Sequence, residues 1–420
     1  MSRLRVWANM RPMGWFGFEA GQYYFEYDTQ WLALPEHFCL APNFPLDSKR
    51  YEGALVKFFF QNLLPEGPIL EAIAIEKQIA LDNLFLLLAE LGRDCAGALA
   101  LLPENQAPQQ HWQYAAMDLG ALRMRLADRA RHPLLTSGRE ASMSLAGTQD
   151  KAGVRFDVKT ETLWEPLPGA SSTHILKPEN RNERFIPCVV NEYLCMKLAQ
   201  RLKLDVPEVY LLRLPEPILI IARYDRVTVG DRVVRLHQID FCQLLGKDGF
   251  FKYERNSRLI GLPVLFSAIT RERGFATPAK AKLRLADWVI FNYLIGNADA
   301  HAKNLSVLVA PEGLTLAPFY DLLCVRIYDD ERLALYIGDA ESFDAVSSAE
   351  WEAFCADCGL SFPEFKKRLL YFVKKLPEAF ATERRALRQL PMAEAQFVER
   401  MEQIIGVHLQ HVESALGKVP

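Results

Sequence analysis

The residues Gly296-Asn297-Ala298-Asp299-Ala300-His301-Ala302-Lys303-Asn304 put a carboxylate, an imidazole, a cation and two amides into one short turn. They follow the apolar run Trp288–Ile295, which reads as a helix, and precede Leu305–Val309, which reads as a strand. Asp-x-x-x-x-Asn at a helix-to-strand turn is the spacing of a catalytic loop for phosphoryl transfer. The chemistry asks for that separation. Asp299 must face an acceptor hydroxyl as base or orienter, while Asn304 turns back to ligate magnesium on the nucleotide phosphates. His301, between them, would brace the loop. Taken alone the spacing is common by chance, so its weight depends on what surrounds it.

Downstream, a strand, the turn Pro311-Glu312-Gly313 and a second strand, Leu314–Pro318, lead into Phe319-Tyr320-Asp321-Leu322-Leu323. Asp321 sits where a kinase keeps its second magnesium ligand, one hairpin after the catalytic loop. Here the tripeptide is Asp-Leu-Leu instead of Asp-Phe-Gly, so the assignment rests on position. Without the loop before it, Asp321 would read as a solvated turn residue.

Upstream, the nucleotide-holding parts come in the required order. Ser144-Leu145-Ala146-Gly147-Thr148-Gln149-Asp150-Lys151 is a small-residue turn between β-like runs. Its backbone N–H groups could cradle phosphate oxygens, although as a lone turn it reads more readily as an ordinary hairpin. His174-Ile175-Leu176-Lys177 is a strand ending in a lysine, suited to reaching α- and β-phosphates. Glu192, near the start of a helix over Asn191–Leu202, is its candidate partner. The apolar strand Leu219–Ala222 runs into Arg223-Tyr224-Asp225-Arg226, where a hinge would meet the adenine. Each signal is weak, and their order carries the inference.

These parts need a scaffold, and the rest of the sequence supplies one. Its first hundred residues alternate in short strands, then show helical patterns at about 51–71 and 81–91, as a compact α+β unit. The polar stretch Pro103–Gln110 reads as a linker. Residues from about 140 to 240 are mostly short β-like runs with one helix, and helical patterns dominate beyond 241, interrupted by one hairpin. The expected fold class is α+β, a two-lobed protein-kinase-like arrangement. Residues 1–105 form an N-terminal subdomain packed on the β-rich lobe, 106–120 a linker, 121–240 the β-rich lobe with its phosphate loop, and 241–420 the helical lobe with the catalytic loop. At 420 residues the chain is long enough for more than one core.

Composition excludes several classes. The formal net charge of −3 offers no large basic footprint for direct nucleic-acid binding. No apolar run approaches the roughly 18 residues of a membrane span, and the first residues lack a secretory pattern. The eight cysteines are scattered, most in apolar runs, which suits reduced thiols in a cytoplasmic protein. Cys355-Ala356-Asp357-Cys358 has no second pair, so packing is the simpler reading than metal or redox work. Phe58-Phe59-Phe60 is expected to pack between the N-terminal unit and the rest. Zinc-helix, nucleophile-elbow and dinucleotide fingerprints are lacking.

Taken together, Ser142–Lys151, Thr173-His174-Ile175-Leu176-Lys177-Pro178, Asn191-Glu192-Tyr193, Arg223–Arg226, His237–Gln243, Asn297–Asn304 and Tyr320-Asp321-Leu322 resemble the HipA family, serine/threonine kinase toxins of bacterial toxin–antitoxin modules. Phe59–Gly67 and Gly92–Leu99 extend the resemblance into the N-terminal unit, so it covers nearly the whole chain. The resemblance implies ATP and Mg2+ as cofactors, Asp299 as the catalytic aspartate, Asn304 and Asp321 as magnesium ligands, and Lys177 as the phosphate-binding lysine. Ser144, Ala146, Gly147, Thr148, Gln149, Lys151 and His301 join the nucleotide site. Ala222 and Tyr224 lie at the adenine hinge, where the family often has Glu in place of Ala222, leaving that contact to the backbone. Ser144 matches the serine that the family autophosphorylates, with Ser142 as the alternative. A protein substrate is implied, an aminoacyl-tRNA synthetase by the family's precedent. The implied partner is a small helix-turn-helix antitoxin, with DNA reached only through it and no membrane.

Two other readings compete. Asp-x-His-x-x-Asn also resembles the catalytic loops of phosphoinositide and aminoglycoside kinases, which would make the acceptor a small molecule or lipid. A degenerate kinase fold serving as corepressor or scaffold is the other, favoured by Asp-Leu-Leu and the unusual phosphate loop. Against it, Lys177, Asp299, Asn304 and Asp321 are all present.

Overall fold

Alternating apolar residues at the N-terminus form an antiparallel meander. Strands β1 (Arg3–Ala8), β2 (Arg11–Glu19), β3 (Gln22–Tyr27) and β4 (Arg50–Glu52) are followed by β5 (Asp94–Cys95) and β6 (Leu99–Pro103), and the sheet runs β4-β3-β2-β1-β6. In β1 every second residue, Leu4, Val6 and Ala8, is buried, as a sheet with one covered face requires. Ala20 and Gly21, both at positive φ, make the two-residue turn between β2 and β3. Helices Ala54–Gln61, Pro68–Lys77 and Leu84–Leu91 accompany this sheet. The helical pattern at 51–71 is thus two helices separated by Asn62–Gly67, with Pro68 opening the second. Phe59 and Phe60 pack against Phe44 and Phe16, ring centroids 5.5 and 4.2 Å apart. The rings of Phe59 and Phe60 lie in the aromatic core of the N-terminal subdomain, while the Phe59 carbonyl accepts from Gln243 Nε2 at 3.0 Å and so links this helix to a segment outside that subdomain. Burying each such ring contributes roughly 1.5–3 kcal/mol.

The computed structural model describes residues 3–109, 112–128, 134, 143–144, 147, 149–167, 169–230, 232–387 and 389–417. It divides into two compact units, the first made of Met1–Arg181, Leu212–Gly249 and Val307–Ala317, the second of Asn182–Leu211, Phe250–Ser306 and Pro318–Pro420.

Along the chain follow β7 (Tyr114–Ala116), β8 (Met143–Ser144), β9 (Ala152–Asp157), β10 (Thr162–Pro166), β11 (His174–Pro178), β12 (Val209–Leu214) and β13 (Glu216–Ala222), all in the first unit except the start of β12, which joins it at Leu212. A six-stranded sheet runs β12-β13-β11-β9-β10-β7. Its edge strand β7 falls inside the stretch read as a linker; three residues are too few to show an alternation. A hairpin of β14 (Arg226–Val229) and β15 (Arg232–Arg235) follows, then β16 (His237–Asp240), which joins β17 (Ser306–Ala310) and β18 (Gly313–Leu316) in a three-stranded sheet. The hairpin behind the catalytic loop therefore groups with the β-rich unit.

A buried ionic network ties the N-terminal subdomain to this sheet. Asp225 accepts from Arg223 at 2.8 and 3.0 Å, from Arg226 at 2.7 Å and from the Gly97 N–H at 2.7 Å. Arg226 also reaches Asp94 at 2.8 Å, and Ser172 donates to Asp94 at 3.1 Å. Burial pushes the Asp94 carboxyl up, but Arg235, Arg226 and Arg223 outweigh it and hold it well below its usual range. Asp94 thus anchors the N-terminal subdomain to the rest of the first unit.

The second unit is mainly helical. Helix Pro278–Ile295 has Pro at its first turn and is buried over most of Leu285–Ile295; the helices Phe362–Ala386 and Met392–Leu416 pack against it. Phe365, Leu369, Phe372, Leu376 and Phe380 line the buried face of Phe362–Ala386 at helical spacing. Helix Cys188–Arg201 packs on that same helix. Cys355 and Cys358 are buried on helix Ser348–Cys358, and burial pushes the Cys355 thiol up to about 12. Packing is their role here. A second hairpin, β19 (Arg332–Ile337) with β20 (Ala340–Ser342), interrupts the helices. Sequence patterning missed it, because Leu333–Ile337 is buried throughout and shows no alternation.

Candidate active site

The candidate catalytic loop begins where helix Pro278–Ile295 stops. Gly296 takes φ 71°, and its N–H closes on the carbonyls of Asn292 and Tyr293. A Cβ there would stand 2.9 Å from the His408 ring, so both conformation and space require glycine. Asn297, 3% exposed, organises the turn beyond it. Its N–H bonds the Asn292 carbonyl at 2.8 Å, and its side-chain N–H2 bonds Asn292 Oδ1 at 2.7 Å. That same amide also reaches the Asp321 carbonyl at 3.5 Å, and its Oδ1 accepts the Asp299 N–H at 3.1 Å. One buried amide thereby ties the helix end, the aspartate of the loop and the segment of Asp321.

Further hydrogen bonds complete the frame. The Asp299 carbonyl accepts from the His301 N–H at 2.8 Å and from Asn304 Nδ2 at 2.9 Å. Tyr320, beside Asp321, donates to the Lys303 carbonyl at 2.7 Å and shares a hydrogen bond with Ser306 Oγ at 2.8 Å. Asp321 itself adopts φ 57°, a left-handed conformation that aspartate tolerates better than most residues. The chain after it is held by Asn191, whose amide donates to the Cys324 carbonyl at 3.0 Å and accepts the Cys324 N–H at 2.8 Å. Asn191 is fully buried on helix Cys188–Arg201, next to the buried Glu192. In the second unit, then, Asp299, His301, Asn304 and Asp321 share one hydrogen-bonded frame. The side chain of Asp299 is engaged as well, accepting from the Tyr253 hydroxyl at 2.5 Å.

The donor set suits magnesium. Asn304 donates from Nδ2 to the Asp299 carbonyl, so its Oδ1 is a neutral oxygen and the Asp321 carboxylate a charged one of the kinds this ion takes. Mg2+ in phosphotransferases takes one or two protein oxygens and completes its shell with phosphates and water.

The first unit carries the residues expected on the nucleotide side. Lys177 is buried in β11, central in the six-stranded sheet between β9 and β13. Gln149 donates from Nε2 to the Pro178 carbonyl at 2.9 Å, fastening the phosphate-loop segment to the residue after Lys177. Lys151 is buried against Gly147, where an added Cβ would stand 2.7 Å from its Nζ. Ser144 lies in β8, which pairs in parallel with β5, Cys95 opposite Ser144. The Glu66 N–H bonds the Gly147 carbonyl at 3.1 Å. The N-terminal subdomain thus reaches the phosphate loop twice through its backbone. Ala222 ends β13 opposite His174, and Tyr224 donates to the Gln238 side chain. Ser142, Ala146 and Thr148 lie outside the described residues.

Residues 4–102 match the HipA N-terminal domain and residues 143–380 the HipA-like C-terminal domain, the second match alone spanning more than half of the chain. The chain belongs to the HipA family. A Sinorhizobium fredii protein named as a kinase is 34% identical over 393 residues, 90% of this chain and 91% of its own length. The serine/threonine-protein kinase toxin HipA of Shewanella oneidensis is 31% identical over 376 residues, 86% of this chain and 84% of the relative. A chain in the solved complex of Shewanella oneidensis HipA, HipB and operator DNA superposes with a TM-score of 0.85 at 29% identity, covering 99% of this chain and 98% of that one. The α+β kinase-like fold expected from sequence is therefore the HipA fold, and the chain is a protein kinase of the serine/threonine class. No helix among the described residues is long and apolar enough to cross a membrane.

Asn297, Tyr320, Asn191 and Tyr253 were not singled out as site residues from sequence. Three of them sit within runs that resemble the HipA family, beside residues that were. Neutral side chains that act by bracing a neighbour leave no spacing signal of their own.

Proposed function

We propose that this HipA-family chain transfers the γ-phosphoryl group of ATP to a serine or threonine of another bacterial protein, as the toxin of a toxin–antitoxin module. The observation that carries this reading is the frame that joins Asp299, Asn304 and Asp321 through Asn297 and Asn304. Phosphoryl transfer is mostly positioning and electrostatics, and a frame of this kind supplies the positioning.

Each residue then has a task. Asp299 accepts the proton of the acceptor hydroxyl as its oxygen bonds the γ-phosphorus and the bond to the β-phosphate oxygen breaks, releasing ADP. Lys177 holds the α- and β-phosphates, with Lys151 and the backbone from Ser144 to Gln149 around the phosphate chain. Ala222 and Tyr224 meet the adenine. His301 braces the loop. Asn304 and Asp321 hold magnesium, which when bound neutralises charge on the phosphates.

Ser144 is the residue we assign to self-modification, with Ser142 as the alternative. A phosphoserine brings about −1.5 to −2 charges into a loop that must cradle phosphates, so self-labelling there switches the kinase off. The protein acceptor, by family precedent, is an aminoacyl-tRNA synthetase. The partner is a small helix-turn-helix antitoxin, and DNA is reached only through it, a reading supported by the likeness to Shewanella HipA solved with HipB and operator DNA.

Incubating the chain with γ-labelled ATP, magnesium and a bacterial lysate should label one or a few lysate proteins on serine or threonine, and the chain itself on the Ser144 peptide. EDTA should abolish both. Nucleotide binding without any transfer would overturn the reading in favour of a scaffold, and label on lipid or small molecules would move the acceptor class. Co-expression with a small helix-turn-helix antitoxin should yield a stable complex; recovery of free kinase alone would remove the antitoxin assignment.

A further inference from the structure

Tyr253 has no part in the roles assigned above, yet it makes a direct hydrogen bond to the carboxylate of Asp299. Its hydroxyl donates to Oδ1 at 2.5 Å. The ring meets His301 edge-on, centroids 5.0 Å apart at 82°. The Arg255 guanidinium lies 4.3 Å and the Lys252 ammonium 5.4 Å from the ring centroid. An imidazole of the catalytic loop and two cations of its own segment therefore hold the ring in place.

The backbone that presents this ring is itself anchored. Tyr253 stands between two single turns of 3-10 helix, Gly249–Lys252 and Glu254–Asn256. Glu254 accepts the Tyr336 N–H of β19 at 2.7 Å, and the Arg258 N–H bonds the Glu254 carbonyl at 2.8 Å. An added Cβ at Gly261 would stand 2.7 Å from Glu254 Oε1, so the packing around that carboxylate is close.

Asp299 needs such a partner. Its N–H and carbonyl are pinned by Asn297, His301 and Asn304, but none of those bonds sets the rotation of the carboxylate. Proton acceptance depends on that rotation, since one carboxylate oxygen must point at the acceptor hydroxyl. A hydroxyl bonded to an ionised carboxylate is among the stronger neutral-donor contacts available.

We propose that Tyr253 is a positioning residue of this kinase. Its hydroxyl secures Oδ1 of Asp299 and so presents Oδ2 to the serine or threonine hydroxyl. The inference rests on the reading of Asp299 as the residue that accepts the acceptor's proton.

Tyr253→Phe removes only the hydroxyl and keeps the ring against His301, Arg255 and Lys252. At saturating ATP, its initial rate of label transfer to lysate protein should fall about 10- to 100-fold, the scale on which small misplacements of a reacting group act. KM for ATP, affinity for a fluorescent ATP analogue and the unfolding temperature should stay at wild-type values. A fall in nucleotide affinity or unfolding temperature alongside the rate would assign Tyr253 a structural role and overturn the proposal. A wild-type or increased rate would overturn it too, an increase marking the phenol as an obstacle to the acceptor. Asp299→Ala in the same assay separates the two readings. If that variant transfers label as fast as wild type, the assignment of Asp299 fails. If it is inactive while Tyr253→Phe is unimpaired, only the role of Tyr253 fails.

Discussion

Asp299→Ala is expected to lower label transfer by roughly 10²–10⁴-fold, the usual contribution of a positioned general base, while leaving nucleotide binding in place. The structure gives two reasons to expect so clean a separation. The bonds that shape the loop at this residue use its backbone: Asn297 accepts its N–H, and His301 and Asn304 donate to its carbonyl. Alanine keeps all three. The lost side-chain contact is the one with Tyr253, whose ring retains His301, Arg255 and Lys252. Lys151 and Lys177, proposed on the phosphate side, belong to the other compact unit, Lys177 in β11 and Lys151 just before β9. The rate at saturating ATP and the affinity for a fluorescent ATP analogue, measured on the same preparation, check both halves. A variant that keeps more than a tenth of the wild-type rate would place the base elsewhere.

Asp225→Ala is expected to act through stability, lowering it by about 3–5 kcal/mol, the cost typical of breaking a buried ion pair from one side. Asp225 is 3% exposed and receives Arg223, Arg226 and the Gly97 N–H. Its removal leaves two buried guanidinium groups with Asp94 as the remaining carboxylate between them. The loss should appear as a lower urea midpoint, and protease cutting in the N-terminal subdomain should rise first, because Gly97 and Cys95 both bond into this network. An unfolding midpoint equal to wild type would show that the network sets orientation at no net gain in stability. The same group predicts acid sensitivity. Asp94 is held below its ordinary value of 3.8 in the folded state. Its contribution is complete above that value and is lost as pH falls through the lower folded pKa, so the urea midpoint should drop below about pH 3.8.

How far such features could be read in advance depended on how local they are. That Asp299, Asn304 and Asp321 come together could be expected because phosphoryl transfer imposes a short, ordered spacing, and helix Pro278–Ile295 with Gly296 after it carries a stop signal in its own residues. Strands β17 and β18 were legible for the same reason, two apolar runs about a Pro-Glu-Gly turn. The N-terminal aromatic run showed its apolar character but not its destination. Nothing in Phe58-Phe59-Phe60 says whether the facing surface is Phe16 and Phe44 or another part of the chain. Patterning failed at β19 because a strand buried at nearly every residue has no period of two.

The amino-acid sequence by itself determined the candidate reacting groups, their order along the chain and the family. Those depend on residue identity and on separations of a few positions, which folding does not alter. Tertiary structure alone decided the partners of those groups: Tyr253 on Asp299 across 46 residues, Asn191 on Cys324 across 133, Arg226 on Asp94 across 132. It also decided that the hairpin after the catalytic loop belongs with the β-rich unit and that helix Cys188–Arg201 belongs with the helical one. Contacts over such separations are set by which surfaces bury together, a property of the whole packed chain that no window of sequence contains.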